Sequence, residues 1–93
     1  MGRYSLNVSD KAKKDLAQLY KSGDKALVNR IERIFTELSD DPYNGIGKPE
    51  QLKHNLAGLW SRRLDKKHRL VYQVIEESIT VFVIAAKGHY SDK

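Results

Sequence analysis

The sequence contains no cysteine, so disulfide scaffolds, thiol nucleophiles and cysteine-based zinc sites are excluded together. Its three histidines show no paired HxxxH-type spacing, and neither a metal site nor a cofactor is expected. Two prolines and six glycines are too few for a fibrous or low-complexity chain. No apolar run approaches the roughly 20 residues of a membrane span. The opening MGRYSLNVSD lacks the apolar middle of a signal peptide, so the chain reads as a cytoplasmic protein with no membrane partner. At 93 residues there is room for one modest core, and a single domain over 1–93 is expected.

What is present is charge, unevenly placed. The chain is 40% hydrophobic and 31% charged, a soluble globular profile, with a formal net charge of +5. Between Ile46 and Tyr72 lie seven basic residues (Lys48, Lys53, Arg62, Arg63, Lys66, Lys67, Arg69) and two acids (Glu50, Asp65), an excess equal to that of the whole chain. A focused positive field attracts phosphates or an acidic protein segment, and either partner satisfies it.

Tyr4, Leu6 and Val8 alternate with polar residues, the period of a half-buried strand. Ser9 is placed to cap a helix with apolar Ala12, Leu16, Leu19 and Tyr20, ended by Gly23. Asp24 is placed to cap a second helix with apolar Leu27, Ile31, Ile34 and Leu38; Ser39-Asp40-Asp41-Pro42 stops it. The short gap predicts an antiparallel helical hairpin. Pro42 to Glu50 reads as a loop. The period then changes to two, predicting a short strand over Gln51–His54 and longer ones over Leu59–Leu64, His68–Ile75 and Ser78–Ala86. The last is apolar on both faces and should lie centrally in the sheet. The expected class is α+β: an N-terminal strand, a two-helix hairpin and an antiparallel meander, with the helices on one face and the other face free.

Strand alternation puts Leu70, Tyr72 and Val74 on one face of the strand predicted over His68–Ile75 and Arg69, Val71 and Gln73 on the other. If Trp60 and Leu64 are core, Arg63 joins Arg69 on the free face and Arg62 lies near an edge. Two arginines on adjacent strands offer a phosphate a fork of donors, or simply solvate an exposed sheet. Glu50, among Lys48, Lys53 and His54, is either a surface acid balancing lysines or an ionised base. His89 beside Tyr90 is either an exposed tail residue or a proton donor with a stacking partner. NGIGKPE lacks the closing Lys-Ser/Thr of a Walker loop, so mononucleotide hydrolysis is not expected.

The segment GKPEQLKHNLAGLWSRRLDKKHRLVYQV, Gly47 to Val74, resembles the hallmark segment of the YoeB/Txe toxins, a branch of the RelE/ParE superfamily. The His89-Tyr90 pair resembles that family's ending, although Ser91-Asp92-Lys93 follow it here. The resemblance implies a RelE-like microbial ribonuclease fold. It also implies the toxin of a type II toxin–antitoxin pair that cleaves messenger RNA in the A site of the 70S ribosome. By motif, the general base falls on Glu50, the phosphate-stabilising arginine on Arg69 and the general acid on His89. Lys53, Arg63 and Tyr90 become candidate substrate-binding residues. The reaction implied is attack of a ribose 2′-OH on the adjacent phosphate. A YefM-like antitoxin with an acidic segment and a homodimer are the implied protein partners. A ParE-like, non-catalytic inhibitor of DNA gyrase is the competing reading, since fold alone does not separate the two.

Overall fold

A computed structural model describes residues 2–86. Strand β1 (Ser5–Val8) leads into helix α1 (Asp10–Lys21), whose first turn is closed by Ser9. The Ser9 hydroxyl accepts the Ala12 amide at 3.0 Å and donates to the Ile84 carbonyl at 2.7 Å, so the cap also fastens the helix to the sheet. After Gly23, in the left-handed region at φ +79°, Asp24 caps α2 (Lys25–Asp40) by accepting the Leu27 amide at 3.0 Å. The α2 positions Leu27, Ile31, Ile34 and Leu38 are all buried, as their helical spacing predicts.

The chain then runs through β2 (Glu50–Gln51), a 3-10 turn (His54–Leu56), β3 (Trp60–Arg63), β4 (Arg69–Ile75), a second 3-10 turn (Glu76–Ser78) and β5 (Thr80–Ala85). The sheet order is β1-β5-β4-β3-β2. The expected antiparallel meander is present from β2 to β5, and β1 adds to it in parallel, Leu6 opposite Val81 and Val8 opposite Val83, making the sheet mixed. Strand β5 therefore has neighbours on both sides, an interior place consistent with its apolar composition, although β4 is the middle strand. Leu16, Leu19, Ile31, Ile34, Leu70, Tyr72, Val81 and Val83 fill one core between helices and sheet.

Three expectations are corrected. The strand predicted over Gln51–His54 is instead the pair Glu50–Gln51; it cannot extend to His54, which turns with φ +61°, outside the extended region. The last strand starts at Thr80 rather than Ser78, because Ile79 adopts φ +49° and closes a turn. Arg62, expected near an edge, is fully buried on the core side of β3 beside Leu64. Its charge is tolerated there because Glu37 lies 2.8 Å away and the Tyr72 hydroxyl and backbone carbonyls take the remaining donors.

Candidate active site

Strand register assembles the site. Glu50 of β2 is opposite Ser61 of β3, which is opposite Val71 of β4; two positions along β3, Arg63 is opposite Arg69. Side chains two apart share a face, so Glu50, Arg63 and Arg69 all project from the side away from Leu70 and Tyr72. That face is not wholly free: Ser61 and Val71 are buried on it, while Glu50 and Arg63 are exposed and Arg69 is half-buried. The charged side chains thus stand around a floor of small ones.

A shallow depression of about 230 Å³ is lined by Glu50, Gln51, Leu52, Lys53, His54 and Arg69. It brings together three of the six residues singled out from the sequence: Glu50, Lys53 and Arg69. Arg63 borders it by register without lining it. His89 and Tyr90 lie outside the described residues. Among the described residues no ion pair ties up Glu50, Lys53, Arg63 or Arg69. Two arginines directly opposite on one sheet face repel each other, an arrangement that costs stability and that an anion between them would relieve.

Local devices hold these groups. Arg69 follows the β3–β4 turn, where the Asp65 carboxylate accepts the Lys67 and His68 amides at 2.8 and 2.7 Å and faces the His68 ring at 2.9 Å. Burial opposes ionisation of Asp65, but these hydrogen bonds outweigh it and hold the carboxyl below its ordinary range. On the other side of the depression, the Leu52 amide donates to the Leu59 carbonyl at 2.9 Å and the Arg63 amide to the Gly47 carbonyl at 2.6 Å. His54, Gln51 and Leu52 line the site although nothing in their spacing marks them. The turn that brings His54 inward follows from its left-handed backbone, which composition does not announce in a histidine.

A wider hollow of about 490 Å³ lies between the helical hairpin and the β3–β4 turn, lined by Leu19, Leu27, Lys66, Lys67 and His68 among others. Both acids that line it are engaged, Asp65 in closing the turn and Asp24 in capping α2. Among the described residues no cluster of three histidines or carboxylates is placed to hold a metal ion, and no helix is long and apolar enough to cross a membrane.

The arrangement is that of a small α+β protein presenting an unpaired carboxylate and cations on one sheet face. Residues 9–90 match the family described as the YoeB-like toxin of bacterial type II toxin–antitoxin systems, and the chain belongs to that family. It is 46% identical over 67 residues to toxin YoeB of Escherichia coli O6:H1, spanning 72% of this chain and 77% of that protein. Among solved structures, the YoeB/ParE toxin from Agrobacterium tumefaciens superposes with a TM-score of 0.80 at 32% identity, over 92% of this chain and 99% of that one. The YoeB dimer from Staphylococcus aureus gives 0.77 at 35% identity, and the YoeB–YefM complex from the same organism 0.75 at 34%, each over 95% of this chain and 99% of its counterpart.

Proposed function

We propose that this toxin is a ribosome-dependent endoribonuclease acting on messenger RNA in the A site. The observation that carries the reading is the meeting of Glu50, Lys53 and Arg69 around one depression on a rigid sheet. Glu50 removes the proton from a ribose 2′-OH, and that oxygen forms a bond to the adjacent phosphorus. Arg69, with Arg63 opposite it, stabilises the charge growing on the non-bridging oxygens. Lys53 holds a neighbouring phosphate. His89 gives its proton to the departing 5′-oxygen as the P–O bond breaks, leaving a 2′,3′-cyclic phosphate and a free 5′-hydroxyl. Tyr90 stacks on a base. His89 is three positions beyond Ala86, a reach of at most about 10 Å, and Ala85 pairs with Val71, two residues from Arg69. That distance is compatible with His89 serving the same phosphate. The proposed chemistry requires no metal or cofactor.

The exposed cations also suit the antitoxin. An acidic segment of a YefM-like partner, folding across Arg63 and Arg69, would occupy the same surface as RNA; the YoeB–YefM complex of a relative supports this partnership. A homodimer is proposed on the same footing, from the YoeB dimer of a relative. The site of action proposed is the bacterial cytoplasm, where ribosomes are.

The test is cleavage of ribosome-bound message, with transcript ends mapped. Glu50→Gln should lose about 10²–10⁴-fold in rate while its thermal melt is unchanged. Full activity in Glu50→Gln, or intact transcripts with damaged DNA in cells making the unaltered protein, would overturn the reading in favour of a gyrase-directed one.

A further inference from the structure

Arg62 is a costly residue to bury. Its guanidinium is fully buried, and removing such a charge from water carries a penalty of several kcal/mol that ion pairing only partly offsets. Apolar replacements of buried ion pairs are often neutral or stabilising, so stability alone is a weak reason to keep it.

Its bonds point elsewhere. Nε donates to the Tyr72 hydroxyl at 3.2 Å. Nη1 donates to Glu37 Oε1 at 2.8 Å and to the Ile46 carbonyl at 3.5 Å. Nη2 donates to the carbonyls of Asp41 at 3.2 Å and Asn44 at 2.8 Å. The two partners then reach the same segment: Tyr72 donates to the Pro42 carbonyl at 2.7 Å, and Glu37 Oε1 accepts the Ile46 amide at 2.9 Å. Carbonyls at 41, 42, 44 and 46 are thus gathered around one side chain and its immediate partners. The wrapping is close: a Cβ on Gly45 would lie 2.6 Å from Nη1 of Arg62 and 2.1 Å from Glu37 Oε1.

This segment has no helix or strand of its own, and it ends in β2, which is two residues long and includes Glu50. Arg62 sits in β3 between Ser61, the register partner of Glu50, and Arg63, the register partner of Arg69. We propose that Arg62 is a positioning residue, whose buried guanidinium fixes the course of the loop from Asp41 to Gly47 and so sets Glu50 in register with Arg69 across β3. Only the activity arm of the test rests on the ribonuclease reading. Arg62 does not touch substrate. Lysine cannot replace it, because an ammonium offers three donors from one point where Tyr72, Glu37 and three loop carbonyls take five in a plane.

The experiment compares Arg62→Lys and Tyr72→Phe with the unaltered full chain, released from its antitoxin. Amide exchange reads the loop directly. The Leu52 and Arg63 amides, bonded to Leu59 and Gly47, should exchange about tenfold faster in Arg62→Lys. The Ser5 and Ser9 amides, bonded across β1 and β5, should not change. In ribosome-bound cleavage, kcat should fall about 10–100-fold with KM little altered, since small displacements of a reacting group cost that much. In a Glu50→Gln background the same substitution should add no further loss. Tyr72→Phe removes the Nε acceptor and the Pro42 donor without changing ring volume, and should show the same pattern at about 3–10-fold. Unchanged exchange at Leu52 and Arg63 overturns the inference. So does an equal fractional loss of activity with and without Glu50, or unfolding of both variants, either of which marks a merely structural residue. Full activity in Glu50→Gln alone is instead the failure of the ribonuclease reading, and the exchange arm still decides the role of Arg62.

Discussion

Arg63 and Arg69 face each other across β3 and β4 at a position where opposite charges would stabilise the pair. Like charges at such a pair are destabilising by an amount comparable to what opposite charges contribute, so the pair is better explained by what it binds than by what it holds together. Arg63→Gln should therefore raise folding stability by about 0.5 kcal/mol and at the same time weaken substrate. The measurement is a urea melt alongside cleavage kinetics; the expected pattern is a higher midpoint with a higher KM. A lower midpoint would mean that the Arg63 side chain supports the fold and that its repulsion with Arg69 is negligible. Arg69, half-buried and lining the depression, should behave differently: its loss lowers kcat as well, because its charge sits where the proposed oxyanion grows.

At the scale of the element, glycine in the site loop can be tested against glycine in the helical hairpin. Gly47 has φ +85°, and a Cβ there would meet the Arg63 carbonyl at 2.8 Å; Gly23 has φ +79° with nothing within 4 Å. Gly23→Ala should cost about 1 kcal/mol for the left-handed backbone alone. Gly47→Ala should cost about 2–3 kcal/mol, since backbone must also shift. Equal losses in thermal melts would show that the close approach to Arg63 carries no energy. The same contrast explains what was readable beforehand. The helices, β4 and β5 are long, and their periods of 3.6 and two are repeated enough to show; face assignment of Arg63 and Arg69 follows from that alternation. Strand β2 has two residues and no period to repeat, so Glu50 reads as the end of a loop. The burial of Arg62 is not legible because a charged residue in a strand suggests an edge, and the counter-charge that makes burial tolerable is Glu37, on a helix and 25 positions away. The depression itself depends on His54 turning at φ +61°, a tertiary outcome with no local signature.

Across the whole molecule, titration should leave a plateau of stability bounded by acid and alkali, and one cluster contributes to both edges. Glu76, in the turn before β5, accepts the Tyr4 hydroxyl at 3.0 Å and the Tyr43 hydroxyl as well, tying the start of β1 and the site loop to the far end of β4. Hydrogen bonds from Tyr43 and then Tyr4 hold the Glu76 carboxyl below its ordinary range. The Asn44 side chain and the Tyr43 amide do the same for Asp41. A carboxyl whose folded pKa is depressed adds stability above its unfolded value near 4, lost as pH falls through the folded one. The tyrosines work in the opposite sense: the Tyr43 hydroxyl is pushed up mainly by its bond to Glu76, and that of Tyr4 by burial and then the same carboxylate. Phenols with raised folded values add stability that is complete below about 10 and lost as pH rises beyond it. Melting temperature should thus be flat from about pH 5 to 10 and fall on both sides. Glu76→Gln should soften the fall at both ends, because the amide neither titrates nor repels a phenolate. A variant that alters only the acid limb would detach the tyrosines from Glu76 and assign their shifts to burial alone.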